Sequence, residues 1–201
     1  MSDPRRLIVG MSGASGVIFG VRALERLRET GIETHLVMTQ AAKLTLAHET
    51  SLKVADVEAL ASVVHRADDI GASISSGSFA TLGMLVAPCS IRSLSELATG
   101  VTAGLLSRAA DVALKERRRV VLMVRETPLH AGHLKSMLAV TEMGAIVAPP
   151  LPAFYGRPET IDDLIDHSVG RALDLFGLDV GGIHRWQGTR AAPGGGRLTS
   201  S

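Results

Sequence analysis

Leu7–Gly16, with the sequence LIVGMSGASG, combines a short apolar run, a glycine-rich turn and the start of an amphipathic stretch. This order predicts a strand that leads through a tight turn directly into a helix. Backbone N–H groups converge at such a junction, and the helix dipole favours an anion there. Similar turns also serve tight packing with nothing bound, so the stretch alone leaves a phosphate cradle and a purely structural turn open.

The glycine spacing favours flavin mononucleotide (FMN) over a dinucleotide. Glycines at positions 10, 13 and 16 form G-x-x-G-x-x-G, whereas the dinucleotide fingerprint is G-x-G-x-x-G. The next predicted strand, Glu33–Met38, is followed by Thr39 and Gln40 rather than by the acid that holds ribose hydroxyls in NAD sites. A ligand with one phosphate and no second ribose fits these features better.

Strand and helix patterns alternate along the rest of the chain. After the first strand, the predicted strands are Glu33–Met38, Val63–His65, Met84–Ala87 (stopped by Pro88), Val120–Val124 and Ala145–Val147. The predicted helices are Val17–Glu29, Thr39–Glu49, Lys53–Ala61, Ser90–Ala98, Leu105–Arg117, His130–Met143 and Thr160–Phe176. This alternation predicts an α/β fold, a Rossmann-like (flavodoxin-like) doubly wound parallel sheet in three layers, with ligands at the carboxyl ends of the strands.

Composition excludes several classes of protein. We expect one domain over residues 1–188 and a disordered tail over residues 189–201. Lys plus Arg (21) nearly balance Asp plus Glu (20), which argues against a nucleic-acid-binding face. Cys89 is the only cysteine, so an internal disulfide and a cysteine-based metal cluster are excluded and the compartment is expected to be reducing. Without an apolar run of about twenty residues, a soluble, cytoplasmic protein that does not enter a membrane is expected.

Two further segments bring polar groups to the predicted carboxyl edge of the sheet. Pro88–Ser93 (PCSIRS) opens a helix and presents hydroxyl and N–H groups, which favours ligand binding over an ordinary helix cap. A nucleophilic role for Cys89 is weaker, because no His/Asn partner pattern accompanies it. Arg125 and Glu126 follow the fourth core strand, and these charges are expected to meet each other or a ligand. An arginine there could hold a flavin, and a glutamate could move a proton.

The remaining charged motifs have ordinary structural explanations. Asp162, Asp163 and Asp166 form D-D-x-x-D, a magnesium-binding motif of isoprenoid synthases, but here they open a helix whose dipole favours acids, so no metal is predicted. Lys115 lies on a helix face that is expected to be solvated and ion-paired, or else covered by another subunit. Arg171 borders an apolar stripe, and Tyr155 lies in the irregular arm Pro149–Pro158. Together these last two could hold a small phosphate.

Eight motifs in this order resemble the UbiX family of flavin prenyltransferases: GMSGASG, ETHLVMTQAA, SISSGSF, PCSIRSL, RAADVALKERR, VRETPLHAGHL, GAIVAPPLPAFYGRPET and RWQG. The likeness spans residues 6–188. It implies transfer of a dimethylallyl group from dimethylallyl monophosphate to N5 and C6 of reduced FMN, without a metal. It further implies that prenylated FMN serves UbiD-type decarboxylases, in ubiquinone biosynthesis or aromatic acid decarboxylation, and that the enzyme is a homo-dodecamer with sites between subunits.

The resemblance also assigns site residues by position. Lys115, Tyr155 and Arg171 match contacts to the dimethylallyl phosphate, and Ser15, Glu49 and Glu126 match residues that handle protons, with Lys115 holding the leaving phosphate. The matched FMN contacts are Gly13, Ala14, Ser15, Thr39, Ser90, Ile91, Arg92, Ser93 and Arg125. One departure is Ala103, which stands where relatives often carry a polar side chain.

Two alternatives remain at this point. One is an FMN-binding enzyme of the cysteine-decarboxylase type, although the Asn/His pair and Met-Asn clamp of that class are not found in the sequence. The other is a non-catalytic subunit that stores or delivers flavin. Storage alone needs none of Glu49, Lys115 and Tyr155.

Overall fold

The computed structural model describes residues 5–181, 183 and 185. Its strands are β1 (Arg6–Met11), β2 (Glu33–Met38), β3 (Val63–His65), β4 (Gly83–Cys89), β5 (Arg119–Val124) and β6 (Ile146–Val147). Its α-helices are α1 (Ile18–Arg28), α2 (Gln40–Glu49), α3 (Val54–Glu58), α4 (Ile91–Thr99), α5 (Leu105–Lys115), α6 (Ala131–Glu142) and α7 (Ile161–Asp174). The tail predicted over residues 189–201, and Trp186, Gln187 and Gly188 of the RWQG motif, lie outside the described residues.

The six strands form one parallel sheet in the order β3-β2-β1-β4-β5-β6. This is the Rossmann strand order. Without the three-residue edge strand β3, the other five strands follow the flavodoxin-like order, so both parts of the predicted description apply. The chain leaves β3 at one edge and returns beside β1 as β4. The strand order therefore reverses between β1 and β4, and a ligand crevice is expected at the carboxyl ends of these two strands.

Alternate residues of each strand enter two separate cores. In β1, Leu7 and Val9 pack with α1, α2, α3 and α7, whereas Ile8 packs with α4, α5 and α6 on the opposite face. Because both faces are covered, the strands are almost continuously apolar, as in other parallel sheets. The predicted three-layer α/β fold is confirmed.

Strand starts differ from prediction by one residue in β4, β5 and β6, and the end of β4 was predicted wrongly. β4 continues through Pro88 to Cys89, although Pro88 was expected to stop it after Ala87. The register between β4 and β5 shifts between Val86 and Cys89, so the proline lies where the ladder is irregular and its missing N–H costs no regular ladder bond. The strand thereby carries its last residues farther toward the carboxyl edge of the sheet.

Helix ends differ from prediction by a few residues. α5 ends at Lys115 rather than at Arg117, because Arg117 has a φ of 56° and cannot continue a right-handed helix. α3 ends at Glu58, three residues before the predicted end. The loop before β4 contains a short 3₁₀-helix, Ser73–Ser75, and the arm Pro149–Pro158 contains another, Phe154–Gly156. Among the described residues, no helix is both long and apolar enough to cross a membrane.

Candidate active site

A cavity of about 580 Å³ lies at the carboxyl ends of β1, β2, β4 and β5. Its volume is within the range of small-molecule and cofactor sites. All the residues that the sequence assigns to FMN contact line it, together with Glu126 and Ala103. The cavity is also lined by residues that were not predicted from the sequence: Ser12, Gln40, Ala41, Ala67, Glu96, Gly104, Leu106 and Ser107. That any of these residues contacts FMN remains a prediction.

The glycine turn after β1 forms one wall of the cavity. A Cβ at Gly13 would lie 2.3 Å from the Cβ of Ala41, so the absence of a side chain lets the turn pack against the start of α2. Gly16 has a φ of +92°, which side chains rarely tolerate. Glycine is therefore needed at both positions to bring the turn close to α2 and then into α1.

Glu49, the last residue of α2, caps the start of α1. Its Oε2 accepts hydrogen bonds from the backbone N–H groups of Gly16 (2.8 Å) and Val17 (3.1 Å). Val17, at the N-cap position of α1, makes no side-chain cap of its own. Glu49 thus supplies the acceptor that the first turn of a helix requires, and it supplies it from another helix.

The same contacts control the ionisation of Glu49. Partial burial opposes the charge, but a hydrogen bond from the Ser15 hydroxyl, the N–H groups of Gly16 and Val17 and the positive charge of Arg125 together hold the pKa of this carboxyl below its ordinary value. Glu49 does not line the cavity itself, whereas Ser15 does. The structure therefore places Glu49 behind Ser15, as an ionised group one hydroxyl away from the ligand space.

Two helices begin at the cavity with donors available to an anion. Thr39 Oγ1 accepts from Ala42 N (3.1 Å) at the start of α2, and Ser90 Oγ accepts from Ser93 N (3.2 Å) at the start of α4. Both caps match the sequence prediction. Within the part of the chain that the structure describes, the first-turn N–H groups of Ile91 and Arg92 have no acceptor. The donor set of this cavity therefore fits a phosphate group such as that of FMN.

Arg125 and Glu126 extend from the end of β5 into the same space. These charges were expected to pair with each other or with a ligand, but both side chains are exposed, and no ion pair joins them among the described residues. Glu126 Oε1 instead accepts a hydrogen bond from Thr127 N (3.0 Å). Because both side chains are exposed, burial gives no argument that a ligand must be present.

The three residues assigned to the donor phosphate do not line this cavity. Lys115 lines a second cavity of about 450 Å³ and forms an ion pair with Glu116. The Tyr155 hydroxyl lies 3.0 Å from His167 Nε2 on α7. Arg171 forms an ion pair with Asp174 at 2.8 Å. One copy of the chain, as described, does not gather Lys115, Tyr155 and Arg171 at the flavin cavity.

Two aspartates of the D-D-x-x-D motif form ion pairs with arginines on α1. Asp162 and Asp166 each accept a hydrogen bond of 2.6 Å from Arg22 on α1, and Asp166 also pairs with Arg26. Asp166 is available to both arginines because α7 packs alongside α1. Asp163 accepts from the backbone N–H groups of Glu159 and Thr160 in the predicted helix-start role. No group of three or more metal-ligating side chains occurs among the described residues.

Cys89 is not a reactive thiol. It is fully buried at the end of β4, and this burial raises its pKa to about 12. The thiolate is therefore almost absent at neutral pH. Cys89 fills the core beneath the start of α4 as a small apolar side chain, and its burial argues against a nucleophilic role.

Comparisons with known proteins show which family this chain resembles over most of its length. The family model described as Flavoprotein matches residues 1–173. The flavin prenyltransferase UbiX of Escherichia coli K12 is 58% identical over 187 residues, which cover 92% of this chain and 99% of that protein. A crystal structure of AnUbiX (PadA1) in complex with FMN and dimethylallyl pyrophosphate is 50% identical, with a TM-score of 0.92 over 94% of this chain and all of that one. A dodecameric FMN-dependent UbiX-like decarboxylase from Escherichia coli O157:H7 is 52% identical, with a TM-score of 0.89 over 91% of this chain and all of that one.

Proposed function

Because this chain belongs to the flavoprotein family and, within it, to the UbiX flavin prenyltransferases, we propose that it transfers a dimethylallyl group from an allylic phosphate to reduced FMN. The bonds formed are those from the prenyl group to N5 and C6 of the flavin. The observation that carries the proposal is that residues predicted from four separate segments to contact FMN line a single cavity at the strand switch point.

The backbone of the chain supplies the anchor for the flavin phosphate. The free N–H groups of Ile91 and Arg92 point from the first turn of α4, and the Thr39 cap fixes the start of α2 on the other side of the cavity. Arg125 adds a positive charge at the end of β5. Helix N-termini of this kind bind phosphate without further charge, so the arginine strengthens and orients the contact.

Proton handling is assigned to Ser15, Glu49 and Glu126. When bound, reduced FMN supplies the nucleophilic N5 and the ring carbon that must lose a proton after alkylation. Glu49 is held ionised by its contacts, so it is able to accept a proton through the Ser15 hydroxyl. Glu126 lines the cavity, and one of its carboxylate oxygens accepts a hydrogen bond from Thr127 N. Its other oxygen is available to exchange a proton with a ligand in the cavity.

Departure of the phosphate requires cations. An allylic phosphate leaves as positive charge develops on the prenyl group, and Lys115 and Arg171 are suited to stabilise the leaving anion without a metal. Tyr155 provides a hydroxyl for the same phosphate. Because these side chains do not line the flavin cavity of their own chain, we assign them to the cavity of a neighbouring copy.

A homo-dodecamer is the assembly that we propose to bring these residues together. The dodecameric relative supports it, and so do large apolar side chains left exposed on one copy. On α6, Leu134 and Leu138 are 54% and 59% exposed one helical turn apart, and Phe154 in the arm is 73% exposed. Isolated subunits rarely leave such a helix stripe in water. The prenylated flavin is then passed to a UbiD-type decarboxylase.

The proposal is tested by anaerobic incubation of the purified protein with reduced FMN and dimethylallyl monophosphate, without added metal. Mass spectrometry of the released flavin is expected to show the gain of one C5 unit. A parallel reaction with dimethylallyl pyrophosphate establishes which phosphate is the donor. Bound but unmodified FMN with both donors would contradict the proposal and favour a storage subunit.

The assembly is tested separately by native mass spectrometry. We expect a species of twelve chains, and substitution of Leu134 and Leu138 by Glu is expected to dissociate it. If the wild-type protein is an active monomer, the assignment of Lys115, Tyr155 and Arg171 to a neighbouring copy is wrong. The Leu44→Glu variant is a matched control, because Leu44 is equally exposed (57%) but lies on α2.

A further inference from the structure

Ser12 connects the two loops that face each other across the flavin cavity. It lies directly after β1, at the point where the strand order reverses, and it is 1% exposed. Its hydroxyl donates to the carbonyl of Pro88 (2.9 Å) and accepts from the backbone N–H of Ser90 (2.7 Å). Its own N–H also donates to the Pro88 carbonyl, at 3.2 Å. The hydroxyl therefore uses its proton in one hydrogen bond and one of its lone pairs in another, and these two bonds fix its orientation.

These bonds begin where the regular ladder ends. The last pair between β1 and β4 joins Gly10 to Val86, and the next stretch of β4 carries the register shift that accommodates Pro88. Beyond that pair, Ser12 continues the connection between the two strands with its side chain. The regular sheet thus fixes the strands, whereas the two bonds of the Ser12 hydroxyl, together with its N–H bond to Pro88, fix the loops that extend past them.

The position of Ser90 determines how α4 presents its N-terminus. The N–H of Ser90 is bound to Ser12, its Oγ is bound to Ser93, and the next two N–H groups along the chain are the ones without acceptors at the cavity. Loss of the Ser12 hydroxyl leaves the Ser90 N–H without a protein partner in a partly buried location. The loop is then expected to shift toward water or another acceptor, and the start of α4 with it.

We propose that Ser12 is a positioning residue for FMN: it sets the separation between the glycine turn after β1 and the phosphate-binding start of α4. This inference rests on the proposed function, because it takes the ligand of the cavity to be FMN. Ser12 acts through Ser90 and not by direct chemistry. It is therefore expected to influence the affinity for FMN rather than the rate of transfer once FMN is bound.

The test compares Ser12→Ala with a matched control in the whole protein. Thr34 is an equally buried hydroxyl residue (2% exposed) whose Oγ1 accepts from Ser62 N at 3.0 Å. It lies near the amino end of β2, whereas the cavity lies at the carboxyl ends of the strands. Binding of FMN is measured by titration of flavin fluorescence, and Tm is measured for the ligand-free proteins. Both Ser12→Ala and Thr34→Val are expected to lower Tm, because each leaves a backbone N–H unpaired.

Only Ser12→Ala is expected to weaken FMN binding, by about tenfold, the effect of one lost hydrogen bond of typical strength. In turnover, KM for FMN is expected to rise by a similar factor while kcat at saturating FMN changes less than about twofold. Unchanged FMN affinity in Ser12→Ala, or an equal loss in Thr34→Val, would overturn the inference. Failure of the wild-type protein to bind FMN would instead overturn the proposed function.

A second variant covers the case in which Ser12→Ala does not fold. Ser12→Cys keeps nearly the same volume and replaces the hydroxyl by a thiol, which donates and accepts only weakly. Its FMN affinity is expected to lie between those of the wild type and Ser12→Ala. A folded Ser12→Cys protein with wild-type affinity would show that the hydroxyl does not position the site.

Discussion

Glu49 combines a structural contact and a chemical one, and two substitutions separate them. Glu49→Ala removes the acceptor for both Gly16 N–H and Val17 N–H. A lost helix cap costs about 0.5–2 kcal/mol, and because Glu49 is exposed enough for water to replace it, we expect about 1 kcal/mol. In a chain of this size that lowers Tm by about 2–4 °C.

Glu49→Gln is the variant that isolates the charge. Both N–H groups donate to the same carboxylate oxygen, Oε2, so a glutamine amide oxygen placed there keeps both bonds. Tm and FMN retention are therefore expected to stay near the wild-type values. Prenyl transfer is expected to slow by about 10²-fold or more, the usual contribution of a positioned general base.

The assays are thermal unfolding, flavin absorbance after gel filtration and the mass-based transfer rate. A wild-type transfer rate in Glu49→Gln would refute the proton-handling role and leave Glu49 as a helix cap only. A pH profile gives an independent check. The lowered pKa keeps Glu49 ionised at and above its ordinary pKa of 4.5, so its contribution to stability and to rate is lost only as pH falls below that value.

Three further predictions follow from single side chains. Arg125→Ala is expected to weaken FMN retention at least tenfold, read from flavin absorbance after gel filtration, and unchanged flavin content would remove Arg125 from the site. Cys89 is expected to resist iodoacetamide in the folded protein at pH 8 and to react fully in denaturant, because burial raises its pKa to about 12, and rapid alkylation of the native chain would contradict this. His65 has a lowered pKa, first because of burial and then because of neighbouring His35, despite the opposing charge of Asp69. The unfolded chain therefore takes up the proton more readily, and the free energy of unfolding is expected to fall as pH drops below 6.5, with a shallower fall in His65→Gln measured by urea denaturation.

The fold was predictable because its determinants are local. The alternation of apolar strands with amphipathic helices identifies a parallel sheet, and the caps Thr39 and Ser90 mark helix starts that the structure reproduces. Pro88 misled the prediction because a proline stops a strand only where its N–H is needed, and the register shift that removes this need depends on the neighbouring strand. The sequence around Pro88 does not indicate how β4 pairs with β5, so the shift could not be predicted from it.

The site was predictable in part for the same reason. Residues at strand ends were identified as cavity residues, since topology alone brings strand ends together. Ser12 was missed, because its importance depends on Pro88 and Ser90, more than seventy residues away in sequence. Similarly, Asp162 and Asp166 both accept hydrogen bonds from Arg22 on α1, and no pattern within the aspartate motif predicts this partner.

Glu96 and Ser107 line both the flavin cavity and the cavity that contains Lys115. The two spaces are therefore separated by a partition that these two side chains help to form, one from α4 and one from α5. This arrangement suits inhibitor design by fragment linking: a flavin-site fragment and an anionic fragment directed at Lys115 could be joined by a short tether across the partition. The second contact would then form at a high effective concentration, and affinity would rise without either fragment binding tightly alone.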